Sequence, residues 1–132
     1  MSVVDASLLI DVLIGLPAGR PWRRWVAGDA GLAAPDRIGV ELGRYLRRHT
    51  LRGVLEPDDA DRCLSVFGEL GIVPYPTGPL LADALALREN LTFDDALYVA
   101  LARRLGEPLA TTDRRLARAA EALGVEALLE PA

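Results

Sequence analysis

Short apolar runs alternate with segments of helical length along the chain, and this alternation limits the possible folds more than any other feature. Five runs have the length of strands: 2–4, 32–34, 72–73, 108–111 and 125–129. Amphipathic segments of roughly a dozen residues separate them, and strands joined by such segments pair in parallel. The sequence therefore predicts an α/β fold, a three-layer α/β/α sandwich around a central, mainly parallel sheet.

The length and composition indicate one compact domain with a substantial core. The chain has 132 residues, 51% of them hydrophobic, which suits a single domain over 1–132. Its one cysteine, Cys63, cannot form an internal disulfide, as is typical of proteins in a reducing cytoplasm. Asp5 and Asp11 interrupt the N-terminal apolar stretch, which also lacks a basic region. We therefore expect a cytoplasmic protein with no signal peptide and no membrane partner.

The basic residues exclude two classes of phosphate chemistry. All 15 are arginine, so the chain contains no lysine. Receiver domains and aspartate-nucleophile phosphatases also place aspartates at strand ends, but both families rely on a lysine near the phosphoryl group. The formal net charge of −4 argues against a generally basic nucleic-acid-binding surface, while it allows local basic patches.

The segment 92–106, TFDDALYVALARRLG, predicts a helix with clear signals at both ends. Thr92 is a good N-cap, and Gly106 follows the last turn as a helix-terminating glycine. A second helix, rich in Leu and Ala, is expected to precede it over 79–90. The apolar side chains of the segment 92–106 recur at helical spacing and predict one buried stripe: Phe93, Leu97, Ala100, Leu101 and Leu105.

Acidic side chains follow two of the predicted strands, at Asp5 and Asp113. The carboxyl ends of parallel strands border the crevice in which open α/β sheets bind ligands. Asp95 would reach this crevice from the first turn of its helix, and Glu41 from a helix predicted over 36–51. Each acid alone has a structural explanation, as a helix cap or a surface charge.

Together, several carboxylates in one crevice require a countercharge, because like charges push one another toward protonation. Oxygen ligands are typical of hard divalent cations, so the pattern indicates Mg²⁺ or Mn²⁺. Zinc is not expected, since the chain has one histidine and one cysteine.

These residues resemble the PIN-domain ribonucleases of the VapC type, the toxin half of bacterial toxin–antitoxin pairs. The resemblance covers nearly the whole chain. Three stretches carry it: VVDASLLIDVL, APDRIGVELGRYLRR and FDDALYVALARRLGEPLATTDRRLARAAEALG. The resemblance implies a PIN-like fold. In the family pattern the aspartate directly before the helix alanine is the ligand, which favours Asp95 over Asp94. The implied catalytic quartet is Asp5, Glu41, Asp95 and Asp113.

The resemblance also implies a chemistry, a Mg²⁺-dependent endoribonuclease that accepts Mn²⁺ as a substitute. Asp5 and Asp95 would bind the metal directly, and Asp113 and Glu41 directly or through water. Two hydroxyls match positions near the metal, those of Ser7 and Thr112. Contacts with RNA phosphates are expected from arginines near the crevice: Arg44, Arg114 and Arg115.

Partners follow from the same resemblance: a VapB-like antitoxin whose tail crosses the active site, and a second copy of the chain in a homodimer. Trp22, Trp25 and the helix that begins near Glu56 offer apolar surface for these contacts, and core packing explains the same residues. Two other functions stay open at this stage. One is a free-standing RNA-processing PIN nuclease, and the other is a non-catalytic PIN-like scaffold.

Overall fold

The computed structural model describes residues 1–28 and 31–131, and within these ranges a five-stranded parallel sheet forms the centre of the molecule. The strand order is β3-β2-β1-β4-β5, and every neighbouring pair is parallel. The predicted α/β class with a parallel sheet is confirmed. The strands are β1 Ser2–Val4, β2 Leu32–Pro35, β3 Val73–Tyr75, β4 Leu109–Ala110 and β5 Ala127–Leu128.

Helices connect and cover these strands. The helix α6 packs over β1, β2 and β4, while α1 packs against α3 and α4. No helix in the described part of the chain is both long and apolar enough to span a membrane. The α-helices are α1 Ala6–Ile14, α2 Arg23–Ala27, α3 Ile38–Leu51, α4 Pro57–Glu69, α5 Leu81–Leu85, α6 Phe93–Leu105 and α7 Arg114–Ala122, and 3₁₀ turns span Pro17–Trp22 and Gly78–Leu80.

The central strands are buried on both faces, which explains their continuous apolar sequence. All residues of β1 and β2 are buried, and Val3 and Val4 have no exposed surface. A strand covered by helices on both sides shows an apolar run and no alternation. Because β1 lies between β2 and β4, the residue that follows it emerges at the middle of the sheet edge.

Helix α6 is buried on more than the one face that the sequence predicted. Every residue from 96 to 102 is buried, because the sheet covers one side of the helix and α5 packs against it. Phe93 was predicted to be buried as part of the stripe, but it lies in the first turn with 44% of its surface exposed. The predicted caps are present: Oγ1 of Thr92 accepts a hydrogen bond from the Asp95 N–H at 3.3 Å, and Gly106 has φ +65°.

The helix predicted over 79–90 was too long. The α-helical part, α5, ends at Leu85, and the chain continues in tight turns in which the Arg88 N–H donates to the carbonyl of Leu85 and the Asn90 N–H to that of Leu87. Leu87 is buried in the core with 6% of its surface exposed. Burial of Leu87 fixes the turn, and Arg88 and Asn90 stay exposed beside the start of α6.

The tryptophans belong mainly to the core. Trp22 is 1% exposed and meets Trp25 edge to face, with ring centroids 4.9 Å apart. The 3₁₀ turn that carries Trp22 lies directly on α1. A Cβ atom at Gly19 would collide with the backbone of Asp11 and Val12, so this approach requires glycine.

We expect Gly19→Ala to lower the free energy of unfolding by roughly 1 to 3 kcal/mol, because the added methyl group has to displace the backbone of α1. Gly43→Ala is the matched control, since a Cβ there meets nothing within 4 Å. In the interior of α3 it should stabilise the protein by up to about 1 kcal/mol. Urea unfolding of both variants measures the difference, and equal stability would contradict the close approach.

Candidate active site

A crevice opens where the chain order of the strands reverses. From β1 the chain leads outward to β2 and β3, whereas β4 and β5 lie on the other side of β1. Ligand sites of open parallel sheets form outside the carboxyl ends of strands at such a switch point. Asp5 directly follows β1, and residues 111–113 directly follow β4. The two segments therefore border one crevice.

Asp5 is the most buried acid of this crevice, with 4% of its surface exposed. Its carboxylate accepts hydrogen bonds from the Ser7 hydroxyl at 2.7 Å, the Thr111 hydroxyl at 2.8 Å and the Leu8 N–H at 3.0 Å. The bond from Leu8 also makes Asp5 the N-cap of α1. Burial raises the pKa of Asp5 from its ordinary 3.8 to about 6, although these hydrogen bonds oppose the shift.

Glu41 enters the crevice from the first turn of α3. The hydroxyl of Tyr98 on α6 donates a hydrogen bond to its Oε1 at 3.2 Å. Burial raises the pKa of Glu41 to about 7, and the nearby carboxylates of Asp94 and Asp5 act in the same direction. A carboxyl with a pKa near neutrality gains and loses a proton readily at physiological pH.

Asp95 and Asp113 face each other from the starts of two helices. Burial raises the pKa of Asp95, and the charge of Asp113 adds to the shift. Asp113 is the N-cap of α7, where its Oδ1 accepts from the N–H groups of Arg115 at 2.9 Å and Leu116 at 3.2 Å. The capping role considered for Asp113 is thus present, and its carboxylate still lies beside Asp95 in a shared cavity.

The neighbouring acid Asp94 has a different partner. Its Oδ1 lies 3.3 Å from the Arg37 guanidinium, and 49% of its side chain is exposed. Asp94 therefore forms an ion pair at the rim, while Asp95 faces the cavity that Asp113 also lines.

The hydroxyls near Asp5 differ in part from those singled out in the sequence. Ser7 contacts Asp5, but Thr112 donates to Oδ2 of Asp11 at 2.7 Å and lies 3.3 Å from Ser7. The second hydroxyl that reaches Asp5, beside that of Ser7, belongs to Thr111. Val4 pairs with Ala110, so the next residues of the two strands lie side by side and Thr111 meets Asp5. Side chains alternate along a strand, and Thr112 therefore points elsewhere.

Sequence reasoning also missed Tyr98, which holds Glu41. Tyr98 follows Asp95 by three positions, so helical spacing alone places it one turn along the same side of α6. Among the arginines, Arg115 lines the cavity with Asp95 and Asp113, and Arg114 is exposed beside it. Arg44 is exposed in a separate groove on α3, which it shares with Arg47, Arg48, Leu51 and Arg52.

The donor set fits a hard divalent cation. Within residues 1–28 and 31–131, no three acidic, histidine or cysteine side chains already stand in a ligand cluster. Burial, with a smaller contribution from neighbouring carboxylates, nevertheless raises the pKa of Asp5, Glu41 and Asp95, so a bound cation would offset the cost of ionising them. Carboxylate oxygens are the preferred ligands of such cations, and Asp5 and Asp95 with Asp113 or Glu41 are the residues that would hold one.

Comparison with known proteins agrees with this geometry. Residues 2–122 match the family model of the PIN domain. Ribonuclease VapC1 of Mycobacterium tuberculosis is 39% identical over 118 residues, which cover 89% of each chain. The chain belongs to the VapC ribonucleases of the PIN-domain family. The prediction of this family and of the ribonuclease class is confirmed, and nucleases of this family are generally metal-dependent.

Further relatives extend over the same length. Ribonuclease VapC3 of Pyrobaculum aerophilum is 34% identical, with 92% of this chain and 95% of the relative covered. The crystal structure of PAE2754 from the same organism superposes with a TM-score of 0.70 at 25% identity, covering 96% of this chain and 82% of the other. The PIN-like three-layer fold is thereby confirmed.

The buried carboxylate predicts a pH dependence of stability for the metal-free protein. The folded pKa of Asp5, about 6, exceeds its ordinary value of 3.8. Between these pH values the folded state binds more protons than the unfolded state, so stability falls as pH rises. We expect Asp5→Asn to be more stable than the native protein at pH 8 by at most about 3 kcal/mol, and equal to it near pH 4.

Urea unfolding in EDTA at both pH values measures this difference. Asp61→Asn, at an exposed position of α4, is the control and should change stability little at either pH. A loss of stability at pH 8 in Asp5→Asn would show that the ionised carboxylate stabilises the metal-free fold.

Proposed function

We propose that this protein is the toxin of a VapBC-type pair, a Mg²⁺-dependent endoribonuclease that hydrolyses RNA phosphodiester bonds. Mn²⁺ would substitute for Mg²⁺. The observation that carries the proposal is the convergence of acids at the strand switch point. Asp95 and Asp113 line one cavity, the charge of Asp95 acts on Asp5, and that of Asp5 acts on Glu41. The names of the relatives, each a VapC ribonuclease, support the same activity.

Each acid has a distinct role in this proposal. Asp5 and Asp95 bind the metal, and Asp113 and Glu41 bind it directly or through water. When bound, the metal supplies the countercharge for the scissile phosphate, activates water and stabilises the leaving 3′-oxygen. Ser7 and Thr111 orient the carboxylate of Asp5 through their hydrogen bonds.

Glu41 would receive a proton from the attacking water, and its raised pKa of about 7 suits that exchange at neutral pH. The Tyr98 hydroxyl positions Glu41 from the neighbouring helix. The expected products have 5′-phosphate and 3′-hydroxyl ends.

Arginines would offset the repulsion between an acidic protein and RNA. Arg115 stands beside Asp95, and its charge acts against the raised pKa of that carboxylate. Arg114 and Arg44 are exposed and could contact more distant phosphates. These contacts are local, because the formal net charge of the chain is −4.

A VapB-like antitoxin and a homodimer are the protein partners in this proposal. Exposed apolar side chains on α3 and α4 support a protein contact there: Val40 is 52% exposed, Leu51 70% and Leu64 51%. The predicted tryptophan surface supports it less, since Trp22 is almost fully buried. The antitoxin tail would cross the acidic crevice and block RNA.

Cleavage of a panel of structured RNAs, including transfer and ribosomal RNA, tests the activity. We expect cuts with Mg²⁺ that disappear in EDTA and fall at least about 100-fold in Asp95→Asn. Asp94→Asn is the matched control, because the adjacent carboxylate is paired with Arg37 at the rim, and it should retain most of the activity.

The outcomes of this test separate the alternatives. A larger loss of cleavage activity in Asp94→Asn than in Asp95→Asn would show that Asp94, and not Asp95, is the aspartate required for cleavage. No cleavage of any RNA, together with no Mg²⁺ binding in calorimetry, would favour a non-catalytic scaffold. A processing cut at one site of a precursor RNA, without growth arrest on expression, would favour a free-standing RNA-processing nuclease.

Tyr98→Phe tests the positioning of Glu41. Without the hydroxyl, the charged form of Glu41 loses a donor, and the pKa of Glu41 should rise further by up to about one unit. An NMR titration of the glutamate carboxyl carbons in the metal-free protein measures the shift. Tyr45→Phe, whose ring stacks on His49, is the control on the α3 side and should leave the Glu41 titration unchanged.

A further inference from the structure

The C-terminal half of α3 and the turn after it carry a run of positive charge. Residues 42–55 contain four arginines and no acidic residue, in a chain with a formal net charge of −4. All four arginines are exposed: Arg44, Arg47, Arg48 and Arg52. Together with Leu51 they line an open groove of about 450 Å³ on the surface of the helix. A ligand in this groove would therefore meet guanidinium groups along most of its length.

These arginines have no acidic partner among residues 1–28 and 31–131. The ion pairs within 4.0 Å there involve Arg37, Arg62 and the N-terminal amine. A guanidinium without a carboxylate partner keeps its N–H donors for a ligand, and its planar fork matches the oxygens of a phosphate. The dipole of α3 favours cations in the last turn, but Arg44 lies in the middle of the helix, where that effect is weak. Stability of the helix therefore does not account for the whole run.

Three of the arginines form a row that starts beside the acidic crevice, and we call it the arginine row: Arg44, Arg48 and Arg52. Its members follow Glu41 by three, seven and eleven positions, which is the spacing of one side of a helix. At 1.5 Å per residue they lie about 4.5, 10.5 and 16.5 Å from Glu41 along the axis of α3. The backbone stays helical through Arg52, the C-cap residue. The fourth arginine, Arg47, lies on another side and lines the groove between α3 and α4.

The side of α3 that carries the arginine row faces α6 at its start. Glu41 accepts the hydrogen bond of the Tyr98 hydroxyl from α6 at 3.2 Å. Arg37, one turn before Glu41, pairs with Asp94 of α6 at 3.3 Å. The same helix side therefore borders the crevice at its beginning and is open to solvent farther along, where the row is exposed.

We propose that the arginine row binds backbone phosphates of the substrate RNA on one side of the cut, and so extends the substrate site along α3. The inference rests on the proposed function and adds to it a contact outside the crevice. The row spans about 12 Å. Double-stranded nucleic acid carries roughly one charge per 1.7 Å of its axis, so several phosphates can face the row. Phosphate contacts position a nucleic acid without reading its bases, so the row selects for the length of the RNA and not for its sequence.

The position of the row favours RNA over an acidic protein segment as its ligand. An RNA that is held with one phosphate at the acids continues on both sides of the cut, and its chain has to leave the crevice past the elements that border it. Glu41 makes α3 one of these elements, and the row begins one helical turn beyond Glu41. An acidic protein segment would have no comparable reason to bind in line with a carboxylate.

Cleavage kinetics on two substrates test the arginine row: a structured RNA that the native protein cuts, and a short oligonucleotide that contains only its cleavage site. In the double variant Arg48→Gln with Arg52→Gln, we expect KM for the structured RNA to rise roughly 10-fold with kcat unchanged, because the row contacts no reacting atom. KM for the short oligonucleotide should stay the same. Arg48→Lys with Arg52→Lys keeps the charge and should stay close to the native KM. Arg20→Gln with Arg24→Gln removes the same charge at exposed positions outside the groove and is the matched control.

Binding in EDTA separates the row from the metal site. Without a cation the acids of the crevice repel RNA, so the remaining affinity comes from basic groups elsewhere. Fluorescence anisotropy of a labelled RNA hairpin at several salt concentrations gives the slope of log K against log salt. We expect the variant Arg48→Gln with Arg52→Gln to reduce the magnitude of this slope by about 1.5, since each phosphate contact contributes about 0.7 to 0.9.

The outcomes separate failure of the row from failure of the nuclease. An unchanged slope and an unchanged KM in the glutamine variant, in a protein that still cleaves RNA, would overturn the row and leave the nuclease intact. A reduced slope in a protein that cleaves no RNA with Mg²⁺ would overturn the nuclease and support the row as an RNA-binding surface. Native RNA binding in the glutamine variant, together with weaker binding of a polyglutamate peptide, would assign the row to an acidic protein segment and overturn the proposal.

Discussion

The arrangement of the crevice depends on one side chain, the aspartate buried at the end of the central strand. Asp5 is 4% exposed, yet it is held by two hydroxyls and a backbone N–H. These bonds join β1, α1 and the end of β4. The most buried carboxylate of the described residues therefore also connects the elements around the crevice. Burial of an acid without a cation costs stability, and the raised pKa of Asp5 records that cost. Carboxyl groups with a strongly raised pKa are concentrated at functional sites of proteins.

The acids of the crevice combine structural and chemical roles. Asp5 caps α1 and Asp113 caps α7, and each cap uses one oxygen of the carboxylate. For Asp113 the second oxygen is left for another partner. An aspartate that caps a helix can therefore still offer an oxygen to a metal, although the sequence presents these two roles as alternatives. Capping also orients the carboxylate, because an acid bonded to a helix start has fewer accessible rotamers.

Among the described residues, two arginines act on the acids of the crevice, and both stand at its flanks. Arg37 stands on the α3 side, where it pairs with Asp94, and Arg115 stands on the α7 side near Asp95. Both arginines lower the pKa of a neighbouring acid, Arg37 that of Glu41 and Arg115 that of Asp95, but neither contacts Asp5. In the proposed function, the centre would hold the cation and the two flanks would meet the phosphates of the RNA.

The sequence by itself determined the alternation of strands and helices along the chain and the caps at Thr92 and Gly106, and it predicted the acidic residues of the candidate site. These features depend on side chains a few positions apart. Only the tertiary structure decided that Thr111 meets Asp5, that Tyr98 holds Glu41 and that the helix after Pro79 ends early. The bond between Thr111 and Asp5 joins residues 106 positions apart, and that between Tyr98 and Glu41 residues 57 apart. Strand register and helix packing bring such pairs together, and no local pattern encodes either of them.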